Sequence, residues 1–283
     1  MVLSQFYIDD IIKTALLEDI NYIDVSTDFL IPREQVGRAK IIAKADGVLC
    51  GIGVFTRVFE LLDRSFKAVI LKNDGDQILK GDVIAELEGK AAHLLKGERT
   101  ALNLLQHMSG IATAAHKAVE LTQGTKAFIT DTRKTLPGLR ALQKYSVVCG
   151  GGKNHRFNLS DAAMLKDNHI DASGSIENAV KVLREKIGHT VKIEVETRNL
   201  EEVQRALNSG ADIIMLDNMD GQTMKKAVEM VNGRALVEAS GGINFTNIAD
   251  VAAIGVDIIS IGALTHSVQA FDISSKFEKS RAH

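Results

Sequence analysis

The feature of this sequence that most restricts its fold is a regular alternation of short apolar runs and helical patterns in its second half. Four apolar runs begin at residues 191, 212, 235 and 257, so they are spaced 21, 23 and 22 residues apart. Stretches with apolar residues at helical intervals lie between these runs. Strand–helix units of this kind build parallel sheets, either doubly wound or curved into a barrel.

Two earlier runs extend the same alternation toward the middle of the chain. The apolar runs predicted to be strands are 127–130, 162–165, 191–195, 212–216, 235–239 and 257–261. The predicted helices between the later runs are 175–187, 200–210, 221–231 and 244–255. Every run ends on polar or small residues. Because the reactive groups of α/β barrels lie where strands end and loops begin, this pattern favours the barrel.

The first 120 residues have a different pattern. Apolar residues at helical spacing predict a helix over about 4–19, and a second, long helix is predicted over about 94–122. Between the two helices, short strand-like runs at 39–45, 66–72 and 83–89 are separated by turn signals. The change of pattern near residue 120 indicates two structural regions, although no flexible linker separates them.

The composition excludes several classes of protein. Lys and Arg total 34 against 36 Asp and Glu, so the chain lacks the basic excess of nucleic-acid binders. Its N-terminus is acidic and amphipathic, unlike a signal peptide, and no stretch approaches the roughly 18 consecutive apolar residues of a membrane span. Two cysteines are too few for a disulfide framework. We therefore expect a soluble, cytoplasmic protein that binds neither nucleic acid nor membranes.

The residues at the six predicted strand ends are polar or small, and their chemistry is complementary. They are Asp131–Lys134, Lys166–His169, Glu194 with Glu196, Asp217–Asn218, Ser240–Gly242 and Gly262. One charged residue at a strand end is usually a solvated terminus. Six such ends converge on one barrel mouth, which makes a shared site the better interpretation.

Basic residues dominate the segment 131–170. Seven cations stand against three acids, and the cations are Arg133, Lys134, Arg140, Lys144, Lys153, Arg156 and Lys166. Arginine pairs bidentately with carboxylate or phosphate, and lysine supplies a point charge. Together with the glycine run 150–152, these cations predict an anion pocket. His155 is interpreted as a hydrogen-bond donor to the substrate, and Met164 and Met215 as core residues.

Carboxylates and glycines at the later strand ends allow further hypotheses. Glu196 and Asp217 offer hard oxygen ligands suited to Mg²⁺, and Glu194 lies on the same strand face as Glu196. From these carboxylates alone, an equally good interpretation is that they only form ion pairs with nearby Lys or Arg side chains. The glycines before the last two helices have bare N–H groups that can hold phosphate.

Two segments identify a resemblance to a known family. They are DTRKTLPGLR at 131–140 and CGGGKNHRFNLSDAAMLKDNHI at 149–170. The further matching motifs are GERTALNLLQHMSGIAT (97–113), IEVET (193–197), ADIIMLDN (211–218), EASGGIN (238–244) and DIISIGALTHS (257–267). Over nearly its whole length the chain resembles the quinolinate phosphoribosyltransferases.

The resemblance implies a two-domain subunit. Residues 1–120 would form an α/β sandwich, and 121–267 an open α/β barrel of six or seven parallel strands that carries the phosphoribosyltransferase site. The C-terminal segment, about 268–283, would pack with the sandwich. Members of the family form homodimers or larger assemblies of dimers, in which the sandwich of one subunit closes the barrel of its neighbour. Arg99 would be the residue contributed across that interface.

The resemblance also implies roles for individual residues. Those that would line the quinolinate pocket are Arg133, Lys134, His155, Arg156 and Lys166. Those that would hold phosphate are Ser240, Gly241, Gly262 and His266. Glu196 and Asp217 would bind Mg²⁺ and the ribose, and with Lys134 they are the predicted catalytic residues.

The implied reaction transfers phosphoribosyl from phosphoribosyl pyrophosphate to quinolinate with loss of CO₂. The other products are nicotinate mononucleotide, an intermediate of NAD biosynthesis, and pyrophosphate. One alternative is the related pyrophosphorylase-like group associated with molybdenum transport, against which the intact KDNH and NHR motifs weigh. The other is a non-catalytic protein that binds a phosphate ligand, which the full set of acids and bases disfavours. Turnover of quinolinate would distinguish the enzyme from the non-catalytic protein.

Overall fold

The computed structural model describes residues 3–278. Its helices are α1 (Gln5–Asp19), α2 (Val25–Leu30), α3 (Ile52–Leu62), α4 (Ala91–Glu120), α5 (Arg140–Cys149), α6 (Asp167–Ser173), α7 (Ile176–Lys186), α8 (Leu200–Asn208), α9 (Gly221–Val231), α10 (Ile248–Ala253) and α11 (Ala263–His266). Its strands are β1 (Val36–Ala43), β2 (Gly47–Val48), β3 (Lys67–Ile70), β4 (Gln77–Ile78), β5 (Val83–Lys90), β6 (Phe128–Thr130), β7 (Ala163–Leu165), β8 (Ile193–Thr197), β9 (Ile213–Asp217), β10 (Leu236–Ser240), β11 (Ile258–Ser260) and β12 (Ile273–Glu278). Along residues 3–278, no helix combines the length and the apolar character needed to cross a membrane.

These elements form two compact units. Within the described residues, the first unit comprises 3–116, 136–151 and 267–278, and the second comprises 117–135 and 152–266. The first unit is built on an antiparallel sheet with the strand order β12-β1-β5-β3. From its second residue, β1 places buried residues at every other position, which gives the sheet one apolar face. The core of the unit also contains Phe55 of α3 and Leu105 of α4.

The second unit contains a parallel six-stranded sheet with the order β6-β11-β10-β9-β8-β7. Its strands β8 to β11 correspond to the four evenly spaced apolar runs of the sequence. The return helices α7, α8 and α9 begin at Ser175, Asn199 and Asp220, whose side chains accept hydrogen bonds from backbone N–H groups of the first turn. The predicted open α/β barrel is confirmed, with β6 and β7 at the two ends of the sheet.

The largest difference between the two units and the predicted domain division is one segment. The sequence predicts all of 121–267 as barrel, whereas residues 136–151, including α5, belong to the first unit. Leu142 of α5 is buried in the core of that unit. At the C-terminus, β12 pairs antiparallel with β1 from Arg38 opposite Glu278 to Ala43 opposite Ile273. The last part of the predicted C-terminal segment, 279–283, lies outside the described residues.

The first glycine of the run 150–152 has a packing role. Gly150 ends α5, and a Cβ atom at this position would collide with the carbonyl oxygen of Ala112 and the side chain of Ala115 on α4. Only a residue without a side chain allows the two helices to approach this closely. The sequence predicts this glycine as part of an anion pocket, whereas Gly150 serves the packing of α5 on α4.

Candidate active site

A cavity of about 320 Å³ lies at the C-terminal ends of the parallel strands of the second unit. The residues that line it are Thr132, Arg133, Lys134, His155, Arg156, Met164, Lys166, Glu196, Met215, Asp217, Glu238, Ser240 and Ser260. Each of the six strands supplies a lining residue at or next to its end. The fold therefore brings the predicted strand ends together, as the geometry of α/β barrels requires.

Two arginines present buried, unpartnered N–H groups in this cavity. The guanidinium of Arg156 donates from Nη1 to the carbonyl oxygen of Ala162 at 2.9 Å, and its Nη2 lies 3.6 Å from the Met164 sulfur. Among the described residues, the buried Nε atoms of Arg156 and Arg133 have no hydrogen-bond partner. Burial and the nearby charge of Arg133 lower the pKa of Arg156. Both effects favour an anion as the missing partner.

Two carboxylates lie at the ends of neighbouring strands in the same cavity. Glu196 on β8 forms an ion pair with Lys166, which follows β7. Asp217 ends β9 and accepts a hydrogen bond from the side chain of Asn218 at 3.0 Å. Both carboxylates are half-buried, so they are reachable by a ligand and partly shielded from water.

Deeper in the barrel, His155 contacts two buried glutamates. Its Nε2 lies 3.2 Å from Glu194 on β8 and 3.5 Å from Glu238 on β10, and both glutamate side chains are 1% exposed. Its Nδ1 accepts the backbone N–H of Arg156 at 2.8 Å. Burial alone would lower the pKa of His155, but the two carboxylates outweigh it and raise the pKa. In the neutral ring, the hydrogen bond that Nδ1 accepts places the proton on Nε2, where it faces the two carboxylates.

Glycines shape the loops around the cavity. Gly241 has a φ of 84°, and a Cβ atom there would overlap the side-chain amide of Asn218. At Gly262, after β11, a Cβ atom would lie 3.0 Å from Cδ of Lys134 and 3.1 Å from Cδ2 of His266. The absence of side chains at these positions lets neighbouring loops meet closely, and at Gly262 two basic side chains lie beside the backbone.

Comparison with known proteins assigns the chain to a family. The profile of the quinolinate phosphoribosyl transferase C-terminal domain matches residues 111–276, and that of the N-terminal domain matches 24–109. The chain belongs to the quinolinate phosphoribosyl transferase family.

Individual members of the family are similar over almost the whole chain. A probable nicotinate-nucleotide pyrophosphorylase [carboxylating] of Bacillus subtilis is 44% identical over 96% of this chain and 94% of its own. The chloroplastic nicotinate-nucleotide pyrophosphorylase [carboxylating] of Arabidopsis thaliana is 42% identical over 95% and 82%, respectively. The crystal structure of NadC from Streptococcus pyogenes superposes with a TM-score of 0.95, at 41% identity over 99% of this chain and 100% of that one.

Most residues that the family resemblance assigns to the site do line the cavity. They are Arg133, Lys134, His155, Arg156, Lys166, Glu196, Asp217 and Ser240. Gly241 directly follows Ser240, and Gly262 lies against Lys134 and His266. Arg99 is exposed on α4 in the first unit. The individual roles of these residues in substrate binding stay predictions.

Other residues are placed differently from the sequence-based interpretation. Of the seven cations between 131 and 170, Arg140 and Lys144 belong to α5 in the first unit. Lys153 lies with its Nζ 3.9 Å above the ring of Phe128. Met164 and Met215, interpreted as core residues, both line the cavity. A count of charges along the chain cannot separate these cases, because each depends on the direction in which a side chain points.

Glu238 is a cavity residue that sequence reasoning missed. A signal was present, since Glu238 is the single charged residue in the apolar run 235–239. It precedes Ser240 by two residues and therefore shares its strand face. A carboxylate inside a buried strand requires a partner, which the structure supplies as His155.

Proposed function

We propose that this protein transfers the phosphoribosyl group from phosphoribosyl pyrophosphate to quinolinate, with decarboxylation, as a nicotinate-nucleotide diphosphorylase (carboxylating) of NAD biosynthesis. The observation that carries this function is the cavity itself. It combines buried, unpartnered N–H groups of Arg133 and Arg156 with the half-buried carboxylates Glu196 and Asp217. One cavity thus offers hydrogen-bond donors for an anionic substrate and carboxylate oxygens for a sugar or a cation.

The cationic side of the cavity suits a dianion. Quinolinate has two adjacent carboxylates, and the Nε atoms of Arg133 and Arg156 are donors whose hydrogen bonds it would complete. Lys166, which forms an ion pair with Glu196, adds a third positive charge. His155 helps to place Arg156 through the hydrogen bond at Nδ1.

The glycine loops suit the phosphate end of the co-substrate. Gly241 directly follows Ser240, and the backbone of Gly262 lies against Lys134 and His266. Such loops at the C-terminal ends of barrel strands commonly bind phosphate. Phosphoribosyl pyrophosphate would lie with its ribose toward Glu196 and Asp217.

The donor set at the strand ends also fits Mg²⁺. Glu196 and Asp217 are carboxylates on neighbouring strands and line the same cavity, and hard oxygen ligands of this kind hold Mg²⁺ jointly with substrate phosphates. A bound Mg²⁺ would neutralise charge on the departing diphosphate. Excess chelator should abolish turnover, and added Mg²⁺ should restore it. Full activity in excess chelator would show that the reaction does not require the metal.

The remaining chemistry requires orientation and electrostatics from the chain's own residues. As pyrophosphate leaves the ribose, positive charge develops at the anomeric carbon, and the nearby carboxylates stabilise it. Arg133 and Arg156 hold quinolinate so that its ring nitrogen attacks that carbon. The new pyridinium accepts the electron pair released when the adjacent carboxylate leaves as CO₂. A proton then replaces the carboxylate on the ring, which gives nicotinate mononucleotide.

An ultraviolet assay of quinolinate consumption, with phosphoribosyl pyrophosphate and Mg²⁺ present, tests the function directly. Turnover that depends on both substrates is expected, with CO₂ and pyrophosphate in equal amounts. Binding of phosphoribosyl pyrophosphate without turnover would instead support a non-catalytic binding protein. Turnover of another acceptor in place of quinolinate would favour the molybdenum-associated group.

A homodimer, or a larger assembly of dimers, is the second part of the proposal. Five large apolar side chains near the N-terminus are between 68% and 88% exposed, namely Phe6, Leu17, Tyr22, Phe29 and Leu30. Exposed apolar residues in such density are typical of protein–protein interfaces. The exposed Arg99 would then complete the cavity of the partner subunit.

Subunit mixing tests this assembly. An Arg99→Ala chain mixed with an Arg133→Ala chain should regenerate some sites that hold both arginines, and with them part of the activity. Mixed dimers as inactive as either parent would place Arg99 outside a shared site.

The cytoplasm is the proposed compartment. Both cysteines, Cys50 and Cys149, are free thiols, although their sulfurs lie within 4.8 Å of each other. Unbridged thiols at this distance are typical of a reducing compartment. Fractionation of the source cells tests the assignment.

A further inference from the structure

The floor of the cavity contains a continuous series of contacts that begins at two buried carboxylates. Glu194 and Glu238 stand on β8 and β10, and each places one oxygen against Nε2 of His155, at 3.2 Å and 3.5 Å. The second oxygen of each glutamate is buried and, among the described residues, without a hydrogen-bond partner. Two glutamates in so deep a position are costly, which calls for a role that apolar residues cannot fill.

The contacts continue from His155 to Arg156. The other ring nitrogen of His155 accepts the Arg156 backbone N–H at 2.8 Å, and the His155 backbone N–H donates to Asp131 at 2.9 Å. The histidine ring is therefore held at both nitrogens by the protein. The Arg156 guanidinium is in turn fixed at Ala162, which leaves its Nε as the unpartnered donor.

We propose that Glu238, together with Glu194, is a positioning residue for the quinolinate pocket, which holds the His155 ring and through it the backbone and guanidinium of Arg156. This inference rests on the proposed function, since it concerns how the same pocket recognises its dianion. Glu238 acts as the acceptor of the Nε2 proton and makes no contact with the substrate.

A purely electrostatic role for Glu238 predicts the opposite result. A buried anion in the floor of the pocket repels a dianionic ligand, so its removal would strengthen quinolinate binding. The positioning role predicts weaker quinolinate binding. Displacement of a substrate-binding group by about 1 Å can lower the activity of an enzyme on the order of a hundredfold. The direction of the change in quinolinate affinity therefore separates the two roles.

Two substitutions at one position give the central comparison. Glu238→Ala removes the acceptor and should raise the KM for quinolinate roughly ten- to a hundredfold, while the KM for phosphoribosyl pyrophosphate changes little. Glu238→Gln removes the charge but keeps an oxygen that accepts from Nε2, and should restore a KM close to that of the unmodified enzyme. If the alanine protein does not fold, Glu238→Met serves as the variant without an acceptor.

A double-mutant cycle tests whether Glu238 acts through His155. In a His155→Ala background, Glu238→Ala should have little further effect on quinolinate binding, because the contact it supports is already lost. Thr197→Val is the matched structural control. Thr197 is fully buried on β8 and donates to the carbonyl oxygen of Met215 at 2.8 Å, so its loss should lower stability and leave the KM for quinolinate unchanged.

Three results would overturn the proposal. They are tighter quinolinate binding in Glu238→Ala, a Glu238→Gln protein as impaired as the variant without an acceptor, and additive effects in the cycle. Failure of the proposed function gives a different result from failure of the positioning role. In that case the unmodified enzyme would neither bind nor consume quinolinate in the same assays.

Discussion

Most buried polar side chains of the first unit find partners inside that unit, whereas several of the second unit have a buried atom without a hydrogen-bond partner. Asp63, which is 8% exposed, accepts the N–H groups of Ser65 and Lys90 and the Ser65 hydroxyl. Ser109 accepts the N–H of Cys50 and donates to its carbonyl oxygen. In the second unit, the buried atoms without a hydrogen-bond partner among residues 3–278 belong to Thr130, Arg133, Arg156, Glu194, Glu238 and Ser260.

The difference separates a unit whose buried polar groups serve its own packing from the unit that contains the cavity. An unpartnered buried polar atom costs free energy in the folded state, and nothing in the first unit requires many of them. The exception there, Nδ1 of His93, still lies 3.5 Å from the Asp63 carboxylate. In the second unit, an anionic ligand that accepts hydrogen bonds from Arg133 and Arg156 would offset part of this cost.

The largest effect is expected at Arg156. Arg156→Ala removes a donor for the quinolinate carboxylates, and loss of one partner of a desolvated charge costs about 2–5 kcal/mol. Even the lower value corresponds to more than about a tenfold loss of affinity. Arg156→Lys should rescue binding only in part, because an ammonium keeps the charge and lacks the bidentate fork. Binding titrations with each substrate give the measurement.

Arg57 is the matched control for Arg156. This arginine of the first unit already has a partner, since its Nε lies 2.8 Å from the carboxylate of Asp9. Arg57→Ala should leave quinolinate affinity unchanged. Arg133→Ala should behave like Arg156→Ala, with phosphoribosyl pyrophosphate affinity much less affected. Equal losses for both substrates would assign these arginines to the diphosphate.

A smaller effect is expected at Asp63, and it depends on pH. Burial alone would raise the pKa of Asp63, but the hydrogen bonds from Ser65 and Lys90 outweigh it and lower the pKa from 3.8 to about 2. The folded pKa is below the unfolded value, so the stabilisation is present above about pH 4 and is lost as the pH falls toward 2. A shift of this size corresponds to on the order of 2 kcal/mol.

Chemical unfolding of Asp63→Asn at several pH values tests this expectation. The variant should be less stable than the unmodified protein at pH 7, and the difference should shrink between pH 4 and pH 2. A difference that stays constant down to pH 2 would mean that the Asp63 carboxylate does not carry the stabilisation.

The smallest effect is expected in the stability of two serine variants, one from each unit. Ser109→Ala leaves the buried N–H and carbonyl of Cys50 without their partner and should cost at least about 1 kcal/mol of unfolding free energy. Ser260→Ala removes a buried hydroxyl that has no hydrogen-bond partner, so the free energy of unfolding should stay the same or rise by up to about 1 kcal/mol. Denaturant titrations measure both, and equal losses would show that the two units do not differ in this respect.

Much of the fold could be predicted because the buried face of a helix or a strand requires apolar residues at regular intervals along the sequence. The runs at 212–216 and 235–239 lie within one residue of strands β9 and β10, and the predicted helix 221–231 coincides with α9. The helix predicted over about 4–19 corresponds to α1, Gln5–Asp19. In each case the spacing of apolar residues along a few turns or one strand is sufficient, and no distant contact enters.

Residues at strand ends were predictable for a related reason. Parallel strands finish at the same edge, so Lys166, Glu196 and Asp217 had to come together once the strands were placed. The motifs around Arg133 and Arg156 also indicated the family, and the family in turn implied the substrate. The sequence by itself therefore determined the barrel, the edge that carries the site and the chemical character of that site.

Only the tertiary structure decided which partners the side chains have. Arg140 and Lys144 carry the same charge as Arg133, yet α5 belongs to the first unit, where Leu142 is buried. Glu238 and Glu194 are 44 residues apart (238 minus 194) and meet at one histidine nitrogen. The physical reason is that periodicity records how deeply a residue is buried, whereas a hydrogen bond or an ion pair depends on which distant residue arrives at the same point in space.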